Sequence, residues 1–305
     1  MRIVTRGDMD GLASSVLLST VENIRDILFV HPKDAQDGLI QATKEDILVN
    51  LPYVKGCAMW FDHHISESEK AVEIQKIKDF KGAYKMSPST ARVIHDFYNS
   101  PKFAEFKGMM ESTDRFDSAH LTVKDVNEPK DWILLAYTLD PRTGLGPEFQ
   151  KYFRWLVEYV KEIPIQKVLQ HPLVKKRADK VLTEQAGFKK ILAKHCRLDD
   201  NVVITDLREL SELPSGNRFL VFTLFPKANV EARIFWGKER KKAVIACGHS
   251  IFNRTCLVNI GNLLAKYGGG GHAGAGTCQI SQEKADATFK EIIKKLNENK
   301  SASAK

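Results

Sequence analysis

The chain opens on two apolar residues, Ile3 and Val4, turns through a Gly and Asp segment, and continues into Leu12 to Val21, whose apolar spacing suits a helix packed on a sheet. Further β-type runs follow at Ile27 to Val30, Ile47 to Leu51 and Ala58 to Phe61, with a helical stretch at Thr90 to Tyr98 after the Pro88 punctuation. Short buried strands alternating with helices predict an α/β fold with a parallel sheet. From about Phe103 to His195 the pattern turns mainly helical, interrupted at Val123 to Pro129 and by a loop at Pro141 to Pro147. The composition becomes charged around Arg197 to Asn201, and strand-like runs resume at Val202 to Thr205, Phe219 to Phe225, Ala232 to Phe235 and Ala243 to Ala246. A boundary there predicts an N-terminal parallel-sheet domain with a helical extension, 1–196, and a smaller α/β domain, 197–305. The second closes with a Gly-rich loop at Gly268 to Gly276, a helix from about Gln282 to Asn297 and a polar tail, SASAK, expected to fray.

With 305 residues and 43% hydrophobic content the chain can bury a substantial core. No stretch approaches the ~18 consecutive apolar residues of a membrane span, and MRIVTRGDMDG places charge where a signal peptide needs an apolar segment. The expectation is a cytoplasmic protein without membrane partners. Five scattered cysteines with no C-x-x-C pair read as reduced and structural. A net charge of +8 favours polyanionic partners such as nucleotides, oligonucleotides or polyphosphate, although a basic surface kept for solubility explains the same number.

Asp8 and Asp10 stand two apart at the end of the first predicted strand, and Asp62, His63 and His64 follow the fourth. In an open α/β sheet both segments lie at the edge where ligands bind. Carboxylates with a minority of imidazoles suit Mn²⁺ or Mg²⁺ better than a thiolate-preferring ion. Singly, an Asp pair after a strand is more often a turn or a helix N-cap, and Asp-His-His is as readily a strand-ending turn. Their occurrence together at successive strand ends points to a metal site. The run Gly268 to Gly271, His272, Ala273, Gly274, Ala275, Gly276 is a third signal, since consecutive glycines let backbone N–H groups line an anion-binding concavity.

In this order the three signals resemble the DHH phosphoesterase family, over nearly the whole chain. RGDMDGLASS looks like the family's first motif, FDHH matches the one that names it, and YGGGGHAGAG looks like the signature of the DHH-associated C-terminal domain. The resemblance implies a metal-dependent hydrolase of phosphodiester or phosphoanhydride bonds in short oligonucleotides, nucleotides or polyphosphate, with one or two Mn²⁺ or Mg²⁺ ions and a cleft between its two lobes. It implies Asp8, Asp10, His63 and Asp114 as metal ligands, Asp114 being preferred to Asp117 within STDRFDS. Asp62, His63 and His64 become the catalytic candidates, with Asp62 orienting a neighbour and His64 touching substrate phosphate. Arg254, Gly269, Gly270, Gly271 and His272 become candidates for substrate binding, and Ser89 for a helix cap; Arg233, Ser250 and Asn253 lie on segments leading to the glycine loop. A homodimer is left open.

The chain departs from the family pattern at two positions. Arg6 stands where the family usually has a metal-binding His, and guanidinium has no lone pair to give. Asn50, on ILVNLPY, stands where the family has an Asp, which leaves at most a weak amide ligand. One reading keeps a single metal and lets Arg6 grip a phosphoryl oxygen. Another is a phosphate-binding protein with weakened or lost hydrolysis. A third completes the site with another side chain, His31 or His95.

Overall fold

The computed structural model describes residues 1–139 and 145–299. Most of the loop expected at Pro141 to Pro147, and the tail SASAK, lie outside these residues. The chain packs as two compact units, one of Met1–His120 with Pro129–Asp179, the other of Leu121–Glu128 with the described residues from Lys180 onward.

In the first unit, β1 (Arg2–Thr5), α1 (Met9–Val21), β2 (Asp26–Phe29), α2 (Pro32–Gln36), β3 (Asp46–Val49), β4 (Met59–Asp62), α3 (Ser68–Ile74), β5 (Gly82–Tyr84), α4 (Thr90–Tyr98) and α5 (Lys107–Asp117) follow in order. The strands form a parallel sheet ordered β2-β1-β3-β4-β5. Successive apolar residues explain why it is buried on both faces. Ile3, Ile47, Val49 and Phe61 join α1, α4 and later helices in one core, whereas Val4, Leu48 and Trp60 join Ala71 and Ile74 of α3 in another. Because the strands are parallel, Asp8, Asn50, His63 and Ser87 all leave the sheet at one edge. The chain order reverses between β1 and β3, which is where open α/β sheets bind ligands.

After α6 (Val123–Asn127), which belongs to the second unit and carries a Thr122/Asp125 capping box, come α7 (Asp131–Tyr137), α8 (Pro147–Glu162), α9 (Ile165–Gln170) and α10 (Pro172–His195). The second unit then adds β6 (Cys196–Asp199), β7 (Val202–Asp206), α11 (Leu220–Leu224), β8 (Val230–Trp236), β9 (Lys242–His249), α12 (Ile260–Ala265), β10 (Gly270–His272), β11 (Ala275–Ser281) and α13 (Ala285–Glu298). Its mixed sheet is ordered β10-β11-β9-β8-β7-β6.

Two segments differ from the pattern-based expectation. Phe219 to Phe225 is not a strand: β7 and β8 pair in parallel, so the chain between them must cross over, and the apolar run becomes α11, packed against α6. The glycine run is not an open loop. Gly270–His272 pairs antiparallel with Ala275–Thr277 in a hairpin, with Gly271 at φ +150°. A Cβ on Gly271 would lie 2.3 Å from the Ala275 carbonyl oxygen, so glycine is required for this close approach.

Candidate active site

Asp8 is the N-cap of α1, its Oδ1 accepting from Gly11 N at 2.9 Å and from Asn50 Nδ2 at 3.1 Å, while Oδ2 lies 3.1 Å from Arg6 Nε. Gly11 sits so close to the preceding strand end that a Cβ there would fall 2.2 Å from Arg6 O. Burial pushes the Asp8 pKa up, and the Arg6 charge only partly offsets it. Asn50 holds the left-handed backbone at φ +58°, a conformation Asn tolerates. Its Oδ1 and Asp62 Oδ2 are buried without a hydrogen-bond partner.

Asp10 points the other way. Fully buried in the first turn of α1, it accepts from Thr90 N at 2.9 Å and Ala91 N at 2.8 Å, which fastens the start of α4 to the start of α1. Ser89 is the N-cap of α4, as the sequence suggested. Burial raises the Asp10 pKa, and the Asp117 carboxylate raises it further.

His63 meets this carboxylate from β4. Its Nδ1 donates to Ser87 O at 2.9 Å, leaving Nε2 as the lone-pair nitrogen, 3.1 Å from Asp117 Oδ2 and 3.9 Å from Asp10 Oδ2. Nε2 is buried, and the Asp117 and Asp10 carboxylates are the groups it faces. Burial acts to lower the His63 pKa, but the two carboxylates overcome it and raise it to about 9. One donor atom each from Asp10, His63 and Asp117 lie within 4.8 Å of one another. Two carboxylate oxygens and one imidazole nitrogen fit a hard divalent cation.

This set differs from the ligands expected from sequence at more than one position. Asp114 is not brought into it: Oδ1 accepts from Ser89 Oγ at 2.7 Å and Oδ2 from Arg92 Nε and Nη2 at 2.9 and 2.6 Å. Asp117, three residues further along α5, takes the place facing His63. Asp8 also stands outside the three-donor set, spent on its cap, on Asn50 and on Arg6, and Asn50 turns its amide nitrogen towards it. His31 caps α2 and His95 lies against Phe103, so neither completes the cluster.

Asp62 is buried and orients its neighbour, with Oδ1 2.7 Å from His64 Nδ1. Burial alone would lower the His64 pKa; the bond to Asp62 outweighs it and holds the pKa above the ordinary value. The His64 side chain is 39% exposed, so it presents a positively biased ring to solvent beside the cluster.

Among the second unit's candidates, His272 is exposed on the edge strand, and Gly269, Gly270 and Gly271 build the hairpin. Arg254 Nε donates to Ile251 O, Ser250 Oγ caps the turn by accepting from Phe252 and Asn253 N, and Arg233 is committed to Glu231 at 3.0 Å.

A parallel five-stranded sheet with Asp, Asp-His-His and Asp gathered at its C-terminal edge, followed by a mixed-sheet unit with a glycine hairpin, places this chain in the DHH phosphoesterase family, and it is a hydrolase of that class. Among solved structures it is similar to the pGpG-specific phosphodiesterase PggH from Vibrio cholerae, at 38% identity and a TM-score of 0.88 over 98% of this chain and 99% of that one. An exopolyphosphatase-related protein from Bacteroides fragilis shares the fold at 12% identity and a TM-score of 0.52, over 97% of this chain and 92% of that one. RecJ from Thermus thermophilus, solved with Mn²⁺, shares it at 12% identity and a TM-score of 0.54, over 98% of this chain and 52% of that one. No protein-family model and no curated protein matches the chain.

Proposed function

We propose that this chain is a divalent-cation phosphodiesterase cleaving short oligonucleotides of the size of pGpG, and that it works with a single cation. The observation that carries this reading is the buried convergence of His63 Nε2 with the Asp10 and Asp117 carboxylates, at 3.9 and 3.1 Å. The 38% identical relative, named for its action on pGpG, supports the substrate class.

Asp10, His63 and Asp117 would hold the cation, with Mn²⁺ or Mg²⁺ suiting their donor set. Bound there, it supplies Lewis acidity towards water and the phosphoryl group. The protein's own work is positioning and charge. Two backbone amides lock Asp10, and the Ser87 carbonyl fixes the His63 tautomer, so neither donor reorganises on loading. His64, kept basic by Asp62, donates a proton or hydrogen bond to a phosphoryl or leaving-group oxygen. Arg6 takes the place of a second cation: its fixed charge is 3.1 Å from Asp8 and 30% exposed, leaving its outer N–H groups for a phosphoryl oxygen. All five cysteines are free, which fits a reducing compartment such as the cytoplasm.

The test is chelator-treated protein incubated with pGpG, with and without Mn²⁺, for wild type and His63→Ala, with mononucleotide release followed by chromatography. Mn²⁺-dependent GMP release that His63→Ala abolishes is expected; release that persists without Mn²⁺, or in His63→Ala, contradicts the proposal.

A further inference from the structure

We infer that Ile65 and Met86 form a nucleobase-holding lip beside His64, which makes the substrate a nucleotide and not bare polyphosphate; this rests on reading the neighbouring cluster as the phosphodiesterase site. Asp62 and Tyr84 are register partners on β4 and β5, and the two segments leave the sheet side by side. Lys85 N donates to Asp62 O at 3.3 Å, and His63 Nδ1 to Ser87 O at 2.9 Å. Ile65 follows His64 directly and Met86 precedes Ser87. The two residues are 68% and 59% exposed, among the most open large apolar residues of those described.

Tyr84 fixes both. Its hydroxyl donates to His64 O at 3.1 Å and lies 3.5 Å from Met86 Sδ, while its ring stacks on the fully buried Trp60 at 5.9 Å between centroids and 14° between planes. The lip is thus backed by the core and shares one phenol with the backbone of a site residue. A polyphosphate chain presents only charged oxygens, which gain nothing from an apolar surface. A nucleobase presents a flat π face, whose stacking tolerates any base. A thioether is polarisable and adapts to such a face.

The experiment compares kcat/KM for pGpG and for an abasic dinucleotide of identical phosphate content, in wild type and in the Ile65→Ser/Met86→Ser double variant, with Leu173→Ser controlling for loss of an exposed apolar group elsewhere. The ratio of the two substrates is expected to fall about tenfold in the double variant, through KM and not kcat, and to hold in Leu173→Ser. A ratio that stays the same in the double variant overturns the lip. Both positions are exposed, so far-UV circular dichroism should match wild type; if the double variant misfolds, each single variant is read in its place. If wild type hydrolyses neither substrate, the phosphodiesterase reading fails separately, and calorimetric binding of the same two ligands decides the lip. Weaker pGpG binding in the variant then supports it, and equal binding overturns it.

Discussion

Replacing Asp117 by Asn keeps a side chain of the same shape and an oxygen donor, but removes one of the two negative charges facing the proposed cation. The Asp10 and Asp117 donor oxygens are no more than 4.8 Å apart. Two carboxylates at that separation repel by about 3.5 kcal/mol at an effective dielectric of about 20. Cation binding quenches this repulsion, so it forms part of the driving force for loading. A protonated His63 in the metal-free protein absorbs some of it, leaving about 2–3 kcal/mol, or roughly 30- to 150-fold in Mn²⁺ affinity, to be lost in Asp117→Asn. Asp114→Asn supplies the contrast. Both Asp114 oxygens are held by Ser89 and Arg92, so its loss falls on the packing of α4 against α5, at about 1–3 kcal/mol of stability, with Mn²⁺ affinity little changed. Calorimetric titration of Mn²⁺ into the two chelator-treated variants, with urea unfolding in parallel, reads both effects. Equal weakening of Mn²⁺ binding in Asp114→Asn and Asp117→Asn, or wild-type binding in Asp117→Asn, would contradict this assignment.

Other contacts give three further expected outcomes. The Arg6→His/Asn50→Asp double substitution removes the two side-chain partners of Asp8, leaving its cap bond to Gly11 N, and adds two metal-binding groups, so Mn²⁺ stoichiometry by calorimetry should rise from one to two per chain. Asp46 is fully buried and bonded to Arg2 and Thr43; burial pushes its pKa up, but these partners prevail and hold it below the usual carboxylate value. Its contribution is therefore complete above the unfolded-state pKa near ~4 and is lost as pH falls through the lower folded value, so Asp46→Asn should cost about 2–3 kcal/mol in urea unfolding at pH 7 and converge on wild type in acid. Gly271→Ala would place a Cβ 2.3 Å from Ala275 O and 2.4 Å from Gly276 Cα, and should lower stability by about 3 kcal/mol or more, seen as early melting of the second unit's near-ultraviolet signal.

Much of the fold was legible because short apolar runs separated by Gly, Asp and Pro mark parallel strands well, and β2, β3 and β4 fall within a residue or two of the segments the pattern predicts. The edge strand β5 was not: Gly82–Tyr84 is three residues of mixed polarity, extended only because it pairs with β4. Phe219 to Phe225 shows the limit of periodicity, since a short apolar run serves a buried strand or a crossover helix equally, and the parallel pairing of β7 with β8 decides. At the site, Asp10 and His63 were visible as residues after strand ends. The choice between Asp114 and Asp117 was not, because both lie three apart on one helix and the discriminating partner, Arg92, sits on another. Asp10's fastening of α4 spans 80 residues of chain and leaves no local trace.

Native mass spectrometry of Mn²⁺-loaded protein, paired with pGpG turnover on the same sample, tests whether one catalytic cation is held by Asp10, His63 and Asp117 with Arg6 in place of a second. One Mn²⁺ per chain at full activity is expected; two ions per chain at full activity, or full activity with none, would contradict the proposal.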